Sequence, residues 1–271
     1  DCPVFVIFQG VAGDVIDDAD GEMILGFVMT CLFEHTLDHA GGELLGGEAV
    51  TTADHTGHLK RQGTLGLELA GFDELAGAES ALSAAGLDVY RGTEEEAAAR
   101  RCMGYINFKD PSGNSIDLTV RPFAAGRRYF PGRDAGIDEF SHIGLCVTDP
   151  REAEKFWSEV FNFRTSDWIG WSALMTFDEV HHRFALFPSD RPGIQHINFQ
   201  VTETDDVMRS NYFLRDHQVR IQAGPGRHSL SGARFLYFYG PDEMIYEYSC
   251  GVRMVDDSWR ARQFPVNDAS F

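Results

Sequence analysis

Three side chains that bind metal ions well occur on strand-like segments in the second half of the chain. They are His142 in SHIGLCV, His196 in IQHINFQV and Glu247 in MIYEYS. In the first two segments each histidine alternates with apolar residues, so it faces away from the side that packs in a core. Two imidazoles and one carboxylate on one face suit non-haem Fe(II) with open positions. The alternative is that each is a hydrogen-bonded polar residue of the core.

Glu247 is the residue that most needs a partner. It lies between Tyr246 and Tyr248 in a segment typical of a half-buried strand, where a lone carboxylate is costly. Either a cationic side chain or a metal is therefore expected beside it. A five-residue turn at 240–244 places Tyr237 on the same side as Glu247, whereas a four-residue turn separates them. A site that uses both residues requires the five-residue turn.

The elements that position these residues read as strands alternating with helices. In the second half, Asp149 and Pro150 predict a helix start, and another helix is expected over about 205–216. In the first half, TLGLEL is a predicted strand and Asp73 is the predicted cap of the helix after it. TEEEAAARR is interpreted as a polar connection, and a hairpin is expected around KDPSGN.

The sequence contains an internal repeat, in which residues 64–120 align with 194–251 at an offset of 130. The aligned pairs are Phe108 with Phe238, Pro111 with Pro241, Asp117 with Glu247, and Gly66 with His196. So long a period predicts duplicated modules rather than a solenoid. Because the first copy has glycine where the second has histidine, chemistry is expected in the second copy.

Most of residues 138–251 resembles the type I extradiol ring-cleavage dioxygenases of the vicinal oxygen chelate superfamily. The family's first motif is similar to SHIGLCV and its last to FLYFYGPDEMIYEYS. The resemblance implies that His142, His196 and Glu247 bind the metal, at successive spacings of 54 and 51 residues. It also implies three further active-site residues: His182 as the acid–base histidine, His228 beside the metal site, and Tyr237 as the active-site tyrosine.

The same resemblance implies the fold and the reaction. The fold is α+β, with two domains that each contain two βαβββ modules forming a half-open barrel. The expected limits are 1–125 for a non-catalytic domain, 126–137 for a linker and 138–271 for a catalytic domain with a C-terminal extension. The implied cofactor is Fe(II), with Mn(II) also suited, and the implied substrates are a catechol and O2. The reaction would cleave the ring next to the diol, in the degradation of aromatic compounds.

Two features depart from the family pattern. The first sixty residues fit it poorly, and Gln195 precedes His196 where many members have a second histidine. One alternative is a metal-dependent enzyme of glyoxalase type, which would not need all three further active-site residues. Another is a non-catalytic ligand-binding protein, which should lack the metal triad. The sequence does not fix the diol, since Trp168, Trp171 and Phe184 suit a pocket wall and a packed core equally well.

Composition limits the partners and the compartment. The 271 residues carry 42 acids against 23 Lys and Arg, a formal net charge of -19, which disfavours nucleic acid and anionic membranes. The longest apolar run, 23–33, is too short to span a bilayer. Five scattered cysteines without CxxC spacing predict free thiols in a reducing cytoplasm. A homo-oligomer is expected.

Overall fold

The computed structural model describes residues 5–8, 63–123, 133–240 and 243–266, which form two sheets and four helices. In chain order the elements are β1 (Phe5–Phe8), β2 (Thr64–Leu69), α1 (Phe72–Ala84), β3 (Tyr90–Arg91), α2 (Glu94–Ala99), β4 (Gly104–Lys109), β5 (Ser115–Val120), β6 (Ile137–Val147), α3 (Pro150–Phe161), β7 (Arg164–Ile169), β8 (Ser172–Thr176), β9 (Phe184–Pro188), β10 (Gly193–Val201), α4 (Thr204–Asp216), β11 (Ile221–Arg227), β12 (Arg234–Tyr239), β13 (Ile245–Cys250) and β14 (Arg262–Phe264). None of these helices has the length and apolar character needed to cross a bilayer.

The second sheet contains two βαβββ modules. Its nine strands run in the order β11-β12-β13-β10-β6-β9-β8-β7-β14 and do not close into a full barrel. Each module pairs its first strand parallel to its last, β6 with β9 and β10 with β13, and the modules join where β6 pairs antiparallel with β10. The helices α3 and α4 pack on these strands. The α+β fold with a half-open barrel is therefore confirmed for this half.

The first sheet has the order β1-β2-β5-β4-β3 and contains one βαβββ module, from β2 to β5. The partner module predicted for this half falls largely on residues outside the described ranges. The two sheets share one hydrophobic core, in which Phe108 of β4 stacks on Phe161 of α3 with ring centroids 5.7 Å apart. The domain limits expected from the sequence stay predictions.

The repeat in the sequence corresponds to a repeat in structure. The hairpin of β4 and β5, residues 104–109 and 115–120, recurs 130 positions later as β12 and β13, residues 234–239 and 245–250. In both copies the last strand of the hairpin also pairs parallel with the first strand of its module. Asp117 and Glu247 thus occupy the same place in their modules.

The helix α3 forms where its caps and apolar spacing predict. Asp149 accepts hydrogen bonds from two N–H groups of the first turn, and Pro150 starts the helix at a position that needs no N–H donor. After the buried Pro150, its buried face carries Ala153, Trp157 and Phe161, spaced four apart. Asn162 ends the helix in the left-handed conformation, with φ at 54°.

Two local expectations were wrong. Asp73 does not cap α1, because the cap position is Gly71 and Asp73 lies in the first turn, where its charge favours the positive end of the helix dipole. The segment TEEEAAARR is not a mere connection, because Thr93 and Glu96 form a capping box that starts α2. In the C-terminal extension, β14 adds a parallel strand to β7.

Candidate functional site

Strand pairing brings the three predicted metal ligands onto one face of the sheet. Asn198 of β10 pairs with His142 of β6 on one side and with Glu247 of β13 on the other. Directly paired residues point to the same side of a sheet, and His196 shares that side because it lies two positions from Asn198. The intervening Ile197 packs in the hydrophobic core on the opposite face.

The three side chains converge on a single point. The Nε2 atoms of His142 and His196 are 2.9 Å apart, and Glu247 Oε2 lies 3.1 Å from the first and 3.4 Å from the second. All three residues are at least 96% buried. Their ligand atoms lie within 4.8 Å of one another, close enough to share one metal ion.

The environment of Glu247 tests whether these residues fit a metal. Among the described residues no Arg or Lys pairs with Glu247, and neither carboxylate oxygen accepts a well-formed hydrogen bond despite the nearby imidazoles. The equivalent acid in the first module, Asp117, instead receives Arg100 Nε at 2.8 Å and Asn107 Nδ2 at 2.7 Å. The first copy therefore holds its acid with a cationic side chain. The second module instead places an uncompensated carboxylate beside two imidazoles, an arrangement that fits a divalent cation.

Protonation states also suit a metal. Burial raises the pKa of Glu247, but the charge of His142 and the nearby imidazoles of His142, His196 and His228 outweigh it and hold that pKa well below its usual range. Burial lowers the pKa of His142 to about 4, against the opposing effect of Glu247. At neutral pH the site thus offers an anionic carboxylate and a neutral imidazole, the forms in which both groups bind metals.

The free energy of unfolding of the metal-free protein should decrease as the pH falls from about 6.5 to about 4. The ordinary pKa of 6.5 applies to His142 in the unfolded chain and about 4 in the folded one. The unfolded chain therefore takes up the proton first, and protonation favours unfolding. The contribution is at most about 3 kcal/mol. Denaturant unfolding at several pH values measures it. His142→Asn should be less pH-dependent, and an equally steep fall in that variant would refute this assignment.

The three further residues expected at the active site also lie here. Tyr237 pairs directly with Glu247 across β12 and β13, so the five-residue turn and the shared face are confirmed. His228 Nε2 lies 3.0 Å from the Tyr237 hydroxyl and 3.4 Å from Glu247 Oε1. The ring of His182 lies 4.3 Å from that of His142, centroid to centroid.

These residues line one cavity of about 230 Å³. Its remaining walls are mainly apolar, with Ile169, Leu174, Ala185, Phe187, Leu230 and Ile245 beside Gln195, Gln222 and Ser231. The aromatic residues that sequence offered as wall candidates are absent from this lining. Trp168 and Phe184 belong to the hydrophobic core, and Trp171 is 69% exposed. For the first two the core interpretation was the right one.

Sequence reasoning missed how His196 is oriented. Nδ1 of His196 donates a hydrogen bond to Oε1 of Gln195, which leaves Nε2 of His196 to face Glu247. Gly144 makes room for this pair, since a Cβ there would lie only 2.4 Å from His196 Nδ1. The signal was the glycine two residues after His142, on the same face of its strand. Its partner across the sheet is visible only once the register is known.

Known proteins place this site in a family. Residues 139–248 match the Glyoxalase/Bleomycin resistance protein/Dioxygenase superfamily. An iron-dependent extradiol dioxygenase of Rhodococcus jostii (strain RHA1) is 28% identical over 234 residues, covering 76% of each chain. A biphenyl-2,3-diol 1,2-dioxygenase of Paraburkholderia xenovorans (strain LB400) is 28% identical over 211 residues, covering 72% of this chain and 70% of the relative.

Solved structures agree with these relatives. The crystal structure of a halotolerant catechol dioxygenase superimposes with a TM-score of 0.70 at 26% identity, covering 81% of this chain and 83% of the other. The residues that match the superfamily, 139–248, include His142, His196 and Glu247. Residues 139–248 thus carry the sequence pattern of the Glyoxalase/Bleomycin resistance protein/Dioxygenase superfamily, and the relatives and solved structure named above are all extradiol or catechol dioxygenases.

Proposed function

We propose that this protein cleaves the aromatic ring of a catechol next to its two hydroxyl groups and inserts both atoms of O2. The observation that carries the proposal is the convergence of two imidazoles and a carboxylate beside one cavity, which is lined by both imidazoles and by His182, His228 and Tyr237. Ligands, a base and hydrogen-bond donors are then all within one pocket, as this reaction requires.

His142, His196 and Glu247 would hold the metal. We propose Fe(II) as the metal and Mn(II) as the alternative. Both are considered because the same nitrogen and oxygen ligands suit both ions. When bound, the metal supplies a positive charge that makes the diol easier to deprotonate and open positions for the diol oxygens and O2. Loading the metal-free protein with each ion separately, followed by turnover assays, decides between them.

His182 is the proposed base. Burial, together with the charges of His142 and His181, lowers the pKa of His182 well below its ordinary value, so its imidazole is neutral at pH 7. A neutral imidazole that lines the cavity accepts a proton from the diol and returns it later in the reaction.

Tyr237 is the proposed hydrogen-bond donor. Burial and the charge of Glu247 raise the pKa of Tyr237 well above its ordinary value, so its hydroxyl keeps its proton. His228, 3.0 Å from that hydroxyl, orients it towards the cavity. A fixed donor of this kind stabilises negative charge that develops on the oxygens of the reacting diol.

The cavity wall favours an aromatic substrate. Beyond the four histidines and Tyr237, six apolar side chains line it, and Gln195, Gln222 and Ser231 are few enough to orient a ring rather than to bind a sugar or a phosphate. Whether the diol has one ring or two depends on how far the cavity extends beside Leu174 and Leu230.

We further propose that the protein acts in the cytoplasm as a homo-oligomer.

The rival functions predict different assay results. The test uses metal-free protein loaded anaerobically with Fe(II), then mixed with O2 and either catechol, 3-methylcatechol or biphenyl-2,3-diol. We expect uptake of one O2 per diol and a coloured ring-opened product from at least one of them. Isomerisation of the methylglyoxal–glutathione adduct without O2 uptake would favour the glyoxalase type. Tight binding of diols with no product from any would favour a binding protein.

A further inference from the structure

A row of hydrogen bonds leads from the proposed base to the C-terminal extension. His182 Nδ1 lies 3.1 Å from Nδ1 of His181, whose Nε2 lies 2.8 Å from Asp167 Oδ2. The guanidinium of Arg262, on β14, donates two hydrogen bonds to the same carboxylate, from Nε to Oδ1 at 3.0 Å and from Nη2 to Oδ2 at 2.6 Å. His181 and Asp167 are fully buried. None of these contacts was expected from the sequence.

Charge fixes the protons along this row. Asp167 is anionic beside the guanidinium of Arg262, and a carboxylate only accepts hydrogen bonds, so Nε2 of His181 must donate. Because Arg262 already compensates the charge of Asp167, a second proton on His181 would leave an uncompensated positive charge in a fully buried place. His181 is therefore neutral, with a lone pair on Nδ1.

The lone pair of His181 sets the tautomer of the next residue. The 3.1 Å contact between the two Nδ1 atoms is a hydrogen bond only if one of them carries a proton, and here that proton must belong to His182. Nε2 of His182 is then unprotonated, and it is the nitrogen left for a molecule in the cavity that this ring lines. An imidazole of this tautomer is ready to accept a proton from a bound diol.

The backbone holds the row in place. A bulge in β7 between Thr165 and Asp167 changes the direction in which the Asp167 side chain points. The register of β14 places Arg262 opposite Asp167. The N–H of His181 donates to the carbonyl of Arg253, and the Trp259 ring packs edge-on against its imidazole at 5.8 Å. The C-terminal extension thus forms the support behind His182.

We propose that His181, fixed by Asp167 and Arg262, is a positioning residue that keeps His182 in the tautomer with Nε2 free to accept the substrate's proton. The proposal rests on the proposed function for its kinetic consequences, but the tautomer itself is a property of the protein without substrate or metal. It assigns the C-terminal extension a part in the reaction, although Arg262 does not line the cavity.

Nitrogen NMR reads the tautomer directly. In full-length, metal-free protein labelled with ¹⁵N-histidine, long-range ¹H–¹⁵N correlation spectra distinguish a proton on Nδ1 from one on Nε2, and His182→Gln identifies the signals of His182. The expected wild-type result is a proton on Nδ1. His181→Asn should keep it, since the Asn oxygen replaces Nδ1 as acceptor, whereas His181→Phe should release it. A proton on Nε2 of His182 in the wild type would overturn the proposal.

Arg262 provides the sharper variant. Arg262→Met leaves Asp167 uncompensated, so His181 should take up a second proton and donate from both nitrogens, which moves the proton of His182 to Nε2. Arg164→Gln is the matched control, because it removes an exposed ion pair between β7 and Asp257 of the same C-terminal segment. The control spectrum should equal that of the wild type. An unchanged His182 tautomer in Arg262→Met would also overturn the proposal.

Kinetics of the iron-loaded variants then separate positioning from packing. His181→Phe and Arg262→Met should lower kcat about tenfold or more at similar KM and iron content, and His181→Asn should recover most of the loss. Equal losses in His181→Asn and His181→Phe would mark a purely structural role. The spectra stay interpretable if no diol is turned over, so failure of the proposed function and failure of this inference are distinguishable.

Discussion

Replacing Glu247 by glutamine should abolish metal binding and ring cleavage while leaving a folded protein. The variant removes the negative charge that offsets a divalent cation in a buried place, so we expect metal affinity to fall by at least about a hundredfold. Anaerobic titration with Fe(II) measures the affinity, and turnover after loading measures the activity. The fold should persist, because neutral glutamine is easier to bury than the carboxylate that it replaces.

The internal repeat supplies the matched control, Asp117→Asn. Asp117 has the same place in the first module but is paired with Arg100 and Asn107, whereas Glu247 lies beside the imidazoles of His142 and His196. This change should lower the free energy of unfolding by about 1–3 kcal/mol and leave iron binding and kcat unchanged. Glu247→Gln should thus lose iron but stay folded, whereas Asp117→Asn should lose stability but keep iron. Normal iron binding in Glu247→Gln, or lost iron binding in a folded Asp117→Asn, would contradict the assignment of the metal to the second module.

Removing the imidazole of His182 should slow turnover by about 10²–10⁴-fold while iron remains bound. His182 contributes no atom to the three-residue metal cluster, but it lines the cavity and has a depressed pKa suited to a base. The measurements are kcat, KM and iron content of His182→Ala. We expect the loss mainly in kcat, because the proton transfer rather than diol binding is impaired.

An exposed histidine controls for the loss of an imidazole. His217 caps the C-terminal end of α4, and its hydrogen bonds within the described part of the chain go to carbonyls of its own helix. His217→Ala should therefore keep wild-type kinetics. Unchanged turnover in His182→Ala would rule out the acid–base role of His182. It would also remove the reason to expect a lower kcat in the His181 and Arg262 variants. Iron loss in His182→Ala would instead assign His182 to the metal site itself.

The placement of the central side chains could be predicted from the sequence because it depends on local rules. Alternation along β6 and β10 placed His142 and His196 on the face opposite the core residues, and a choice between two turn lengths decided whether Tyr237 faces Glu247. The question left open at Glu247, cationic side chain or metal, is narrowed by comparison with Asp117, because among the described residues Arg100 pairs with Asp117 and no Arg or Lys pairs with Glu247. The alignment of the two acids was already visible in the sequence.

The residues behind His182, Asp167 and Arg262, could not be predicted from the sequence for a different reason. β7 contains RTSDWI, in which Asp167 points inward to His181 and Arg262, so a buried charge interrupts the alternation by which strands are recognised. Its partner is 95 residues away in sequence, on a strand of three residues. The α2 helix, in contrast, was readable from Thr93 and Glu96, whose capping box was overlooked.

Oxygen labelling tests the central claim most directly. Iron-loaded protein is mixed with a diol that it turns over under ¹⁸O2 in ordinary water, and the product is reduced at once so that its carbonyl oxygen cannot exchange with solvent. The account predicts two ¹⁸O atoms in each ring-opened product, and none after the same treatment of Glu247→Gln. A product that carries no ¹⁸O, or one atom only, would contradict extradiol dioxygenase chemistry at the site formed by His142, His196 and Glu247.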